Sequence, residues 1–134
     1  NVWLGVADEN QKWADSRISS ILKVPSKEYF VSACPLLEPV TLSKFLVTGK
    51  INFIMAGCES GPMSRTTDLS WLESIRKEVE YFGGCFVLVQ YRGPDGKLVK
   101  GHHYDSHCTH KKGSTSSDGR KGLRKKLGLK IYRP

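Results

Sequence analysis

Four short apolar runs recur along this chain, over residues 2–6, 29–33, 51–56 and 85–90. Their spacing is roughly one per 25–30 residues, the period of strand–helix repeats. Between the first two, Trp13, Ala14, Ile18, Ile21 and Leu22 fall at helical intervals, which predicts an amphipathic helix over 11–22. Between the last two, Leu69, Leu72, Ile75, Val79 and Phe82 do the same over 69–82, with Asp68 or Ser70 as cap and Gly83-Gly84 as stop. A shorter helix, capped by Thr41, fits residues 41–47. Strand, helix, strand, helix, strand, helix, strand is the order of a parallel α/β sheet. Four strands are too few to close a barrel of the usual eight, so the sheet is either small and open or a piece of a larger barrel.

The third run stops at Gly57-Cys58-Glu59-Ser60-Gly61-Pro62. In parallel α/β folds the loops after the strands' carboxyl ends carry the site. There two glycines permit sharp turns or close approach, and Glu59 presents a charge. Glu9, Cys34 and Gln90 also follow or end strands, so a parallel sheet would bring them to one edge with Gly57, Glu59 and Ser60. Arg65 follows as a candidate partner for an anionic group. The plainer reading is a set of turns, caps and surface ion pairs.

Past residue 91 the pattern is lost. Residues 92–97 form a turn cluster suited to joining two hairpin strands. Residues 113–119 are linker-like, and 122–129 fit a short basic helix. Charge divides the chain sharply: residues 111–134 hold Lys111, Lys112, Arg120, Lys121, Arg124, Lys125, Lys126, Lys130 and Arg133 against Asp118 alone, which accounts for the whole net charge of +8. Such a segment suits nucleic acid or another polyanion, by phosphate contact rather than base stacking, since Tyr132 is its one aromatic. A solvated terminus is the alternative. The division expected is a βα-repeat domain over 1–92 and a loop-and-basic-tail region over 93–134.

Residues 101–110 collect all four histidines and Cys108. His103, His107, Cys108 and His110 are candidate zinc ligands by donor type, although their spacing fits no standard zinc pattern. No CxxC pair occurs, and no secretory signal or membrane-length apolar run is visible. The four cysteines, Cys34, Cys58, Cys85 and Cys108, therefore read as reduced thiols of a cytoplasmic protein. The chain opens without Met on a strand-like segment, which suggests an upstream part.

Several stretches resemble the bacteriophage proteins named after gene products 37 and 68. Residues 1–18, NVWLGVADENQKWADSRI, are similar to that family's NVWLGVSxENQ…ADxRI. Residues 32–40, SACPLLEPV, resemble SAEPLLxPV, and residues 56–62, AGCESGP, resemble VGGESGP, with Arg65, Trp71 and Arg76 following. Residues 89–92 are similar to a strand ending KQWG, and 111–113 with 123–134 resemble the family's closing segments. The resemblance implies a relative of radical S-adenosylmethionine enzymes on a partial, half TIM-barrel-like sheet, in a host-cell cytoplasm. It implies S-adenosylmethionine or substrate contact at Glu59 and association with an amino-terminal half bearing three clustered cysteines. That motif is absent here, so no iron–sulfur cluster is expected in this chain. Cys34 stands where the family has Glu, and Cys58 where it has Gly.

Overall fold

The computed structural model describes residues 2–101, 103 and 104. Four parallel strands, β1 (Trp3–Ala7), β2 (Glu28–Ala33), β3 (Ile51–Ala56) and β4 (Cys85–Leu88), lie side by side in chain order. Between them run α1 (Gln11–Ile21), α2 (Ser43–Leu46) and α3 (Leu69–Tyr81). The mixed α/β sheet read from the four apolar runs is therefore present. When parallel neighbours follow in sequence, right-handed crossovers put every intervening helix on the same face. Burial agrees: Val31, Ala33, Ile51, Ile54, Ala56, Phe86 and Leu88 share one core with Ala14, Ile18, Leu72, Ile75 and Val79 of the helices. The opposite face carries an aromatic row, in which Trp3 meets Phe53 edge-on at 6.3 Å and Phe30 meets Phe53 at 6.4 Å.

The helix starts follow their caps. Asn10 accepts from the Trp13 N–H at 3.0 Å and opens α1. Asp68 accepts from the Ser70 N–H at 2.8 Å and opens α3, whereas Ser70 lies inside the helix. Thr41 does not cap α2. That helix begins at Ser43 with Leu42, which has no side-chain oxygen, in the cap position, and the Gln11 amide at the start of α1 holds both backbone groups of Thr41, at 2.8 and 3.2 Å.

The fourth run is not one strand. After Leu88 the chain leaves the sheet, and β5 (Gln90–Arg92) pairs antiparallel with β6 (Leu98–Lys100) as a separate hairpin around the expected turn cluster. β7 (His103–Tyr104) then returns antiparallel to β4. Among the described residues no helix is long and apolar enough to cross a membrane. Cys34 and Cys58 are free, but Cys85 is disulfide-bonded. The reading of reduced thiols therefore fails for Cys85; it rested on compartment, which carries no information about which sulfurs meet.

Candidate functional site

The parallel register delivers four consecutive loops to one edge of the sheet. From β1 come Asp8 and Glu9. Arg17, one and a half turns into α1, reaches back with Nη1 to the Ala7 carbonyl at 2.6 Å and to Glu9 Oε2 at 2.9 Å. The Leu37 N–H donates to the Glu9 carbonyl at 2.9 Å, so the loop after β2 is clasped to the loop after β1.

From β2 comes Cys34, joined to Pro35 by a cis peptide. Beside it lies Gly57, whose N–H donates to the Ala33 carbonyl at 3.1 Å and whose carbonyl accepts from Leu36 at 2.8 Å. Gly57 lies in a crowded position. A Cβ there would sit 3.0 Å from the Gln90 carbonyl oxygen and 3.2 Å from Cys34 Sγ. The next residue, Cys58, is buried and donates its N–H to the Gln90 carbonyl at 3.0 Å, while Gln90 Nε2 donates to the Cys58 carbonyl at 3.0 Å. Gln90 thus stitches β3 to β5. Burial pushes both thiols up, and the nearby Cys58 raises Cys34 further, so both stay protonated near neutrality.

Glu59 is clamped by Arg65. Nη2 lies 2.7 Å from Oε1 and Nε 3.1 Å from Oε2, and the Arg65 backbone N–H adds a bond of 2.8 Å to Oε2. This two-pronged contact pulls the Glu59 carboxyl down to about 2. The two contacts with Glu59 raise Arg65 in turn, and the Glu9 carboxylate on the β1 loop adds a smaller push in the same direction. Ser60 is exposed on the same loop. Arg92, from β5, holds this loop from below: Nη2 donates to the Gly61 carbonyl at 2.8 Å, Nε to Ser64 Oγ at 2.9 Å, and Nη1 to the Gly96 carbonyl at 2.8 Å.

Asp8 is the anomaly of this edge. It is 1% exposed, and among the described residues neither carboxylate oxygen has a hydrogen-bond partner. Burial first, and the neighbouring Glu9 second, push its carboxyl up to about 7, against a smaller opposing pull from Arg17. Buried polar groups are nearly always paired, so an orphaned carboxyl beside a candidate site calls for a functional explanation.

Of the residues singled out from sequence, Cys34, Gly57 and Gln90 lie against one another, Glu59 is bonded to Arg65, Glu9 is held by Arg17 on the β1 loop of the same edge, and Ser60 is exposed. Sequence reasoning misses Asp8, Arg17 and Arg92. Alternation along β1 is a usable signal for Asp8, since Leu4, Val6 and Asp8 share a face. Arg76 pairs with Glu73 at 2.5 Å and with Glu80, all on α3, and takes no part in the edge. Of the candidate zinc ligands only His103 is among the described residues, in β7, while His107, Cys108 and His110 lie outside them. Lys111, Lys112, Arg120, Lys121, Arg124, Lys125, Lys126, Lys130 and Arg133 also lie outside them.

Sequential parallel strands with helices between them, and charged loops gathered at the carboxyl edge, define a βα-repeat domain of the kind that keeps its site at that edge. The chain belongs to the family described as Protein of unknown function (DUF5131), whose model matches residues 1–121. No curated protein and no solved structure gives a significant match to it.

Proposed function

We propose that this chain is the carboxyl-terminal part of a half-barrel protein akin to the radical S-adenosylmethionine-like phage family it resembles, and that it holds a small charged ligand at its strand ends. The observation that carries this reading is a pair of carboxylate–guanidinium contacts, Glu59–Arg65 after β3 and Glu9–Arg17 after β1, at the same edge of the parallel sheet. The sequential strand order supports a barrel segment, because a closed barrel is the same arrangement continued. The aromatic row on the face away from the helices suits a barrel interior. S-adenosylmethionine fits the donor set: Glu9 and Glu59 offer acceptors to its ammonium and ribose hydroxyls, and Arg65 and Arg17 offer donors to its carboxylate.

An iron–sulfur cluster does not fit this chain's own residues. Its sequence has no three closely spaced cysteines. Radical chemistry would need an amino-terminal half associated with this chain.

The test is calorimetric titration of the 134-residue chain with S-adenosylmethionine. Saturable binding is expected, weakened about tenfold by Glu59→Gln, the loss of one charge-assisted contact. Thermal stability should be nearly unchanged, because an exposed ion pair contributes little to it. No saturable heat at millimolar ligand would overturn the reading.

A second reading, a nucleic-acid-binding module, is favoured by the concentration of the net +8 in residues 111–134. It predicts oligonucleotide affinity that is indifferent to sequence and falls by about 10³-fold or more between roughly 50 and 200 mM salt, as for about six or more phosphate contacts. Fluorescence anisotropy across a salt series measures this, and a flat salt response would exclude it.

A further inference from the structure

Asp8 sits at the junction of three pieces of the site. Its own N–H continues the sheet by donating to the Ser32 carbonyl at 3.0 Å, Glu9 follows it directly, and α1 begins just beyond, after its Asn10 cap. The charged groups that act on it are Glu9, from its own loop, and Arg17, from α1. On the neighbouring β2 and just past its end, Ser32 and Cys34 are uncharged near neutrality, the latter because burial raises its thiol. Arg17 makes both of its hydrogen bonds through Nη1, so among the described residues Nε and Nη2 make none. An ionised Asp8 would be a second carboxylate drawing on this one guanidinium, from a buried position in which neither of its oxygens is hydrogen-bonded among the described residues.

We propose that Asp8 is a proton switch for the strand-end site. With Asp8 neutral, the clasp of Arg17, Glu9 and Leu37 closes as observed. When Asp8 loses its proton the clasp loosens, and Glu9 and Arg17 become available to a ligand. The proposal rests on the strand ends being the site, but not on which ligand binds there.

The direction follows from linkage. A carboxyl held neutral in the closed clasp, and returned to water in the open one, binds its proton more tightly when closed. Opening therefore becomes easier as pH rises from about 4 to about 7 and levels off above that. The reporter is the Leu37 N–H, whose bond to the Glu9 carbonyl spans the two loops. Hydrogen exchange on the ligand-free chain, corrected for the intrinsic pH dependence of exchange, should show Leu37 protection falling by about tenfold per pH unit from about pH 5 to near 7. Asp8→Asn should show no such slope. In parallel, the Asp8 carboxyl carbon of the parent chain should titrate near neutrality by NMR, a measurement that stands if Asp8→Asn does not fold. Titration of Asp8 in the ordinary carboxylate range, or Leu37 protection independent of pH, would overturn the proposal. No S-adenosylmethionine is present in these samples, so failure of the ligand reading and failure of the switch are separate results.

Discussion

Asp8→Asn is expected to stabilise the protein above about pH 7 and to give no gain, or a small loss, near pH 4.5. A carboxyl pushed from 3.8 to about 7 by burial binds its proton more tightly in the folded chain. Its contribution to stability is fully present below the unfolded value and is lost as pH rises through the folded one. A rise of that size corresponds to about 4 kcal/mol, an upper bound that is large against the roughly 5–15 kcal/mol of a typical domain. Asn keeps the shape and removes the ionisation. Its amide is itself a buried group in need of partners, which costs about 1–3 kcal/mol. The net gain at pH 8 is therefore about 1–3 kcal/mol, and the sign reverses in acid. Urea denaturation of both proteins at about pH 4.5 and 8 measures this. Equal destabilisation at both pH values would mean that Asp8 is partnered in solution and carries no ionisation cost.

Much of the sheet is legible because burial enforces periodicity. The run 51–56 is β3 to the residue, and α1 and α3 end one residue before their predicted stops. The break at Val89 is not legible. Cys85-Phe86-Val87-Leu88-Val89 reads as one apolar strand, yet the Val89 N–H goes to the Ala56 carbonyl and its own carbonyl accepts from Gly101, far along the chain. Nothing local to the run announces that distant partner. Thr41 misses the cap by one residue, since α2 begins at Ser43 after Leu42, and its backbone is instead held by Gln11, thirty positions away.

At the candidate site, residue type is readable and commitment is not. Glu59 stands out between two glycines, and the structure adds that both its oxygens are held by Arg65. Gln90 reads as a free polar group and is instead tied to the Cys58 carbonyl. Arg92 looks like the start of a turn, because its acceptors Gly61 and Ser64 lie about thirty residues upstream. Asp8 is lost among Ala7, Glu9 and Asn10, between the apolar run 2–6 and the helix expected from residue 11. Only the strand's alternation, followed one residue past its apolar part, places it indoors.

Gly101→Ala is expected to be among the most damaging single changes to this chain, because the obstacle is backbone. A Cβ at Gly101 would fall 1.8 Å from the Leu88 carbonyl oxygen and 2.3 Å from its carbon, distances that no rotamer change relieves. The chain would have to move at the point where the Gly101 N–H donates to the Val89 carbonyl at 2.7 Å, just before β7 pairs with β4. Losing that bond and straining the crossing should cost about 2–4 kcal/mol. The neighbouring Lys100→Ala, at an exposed position, should stay within about 0.5 kcal/mol. Val89 immediately precedes Gln90, so displacement there also pulls on the bonds joining Gln90 to Cys58. Gly101→Ala should therefore speed hydrogen exchange at the Cys58 N–H, whereas Lys100→Ala should leave it unchanged. A Gly101→Ala protein with the parent's urea midpoint would show that the close crossing of Leu88 and Gly101 does not exist in solution.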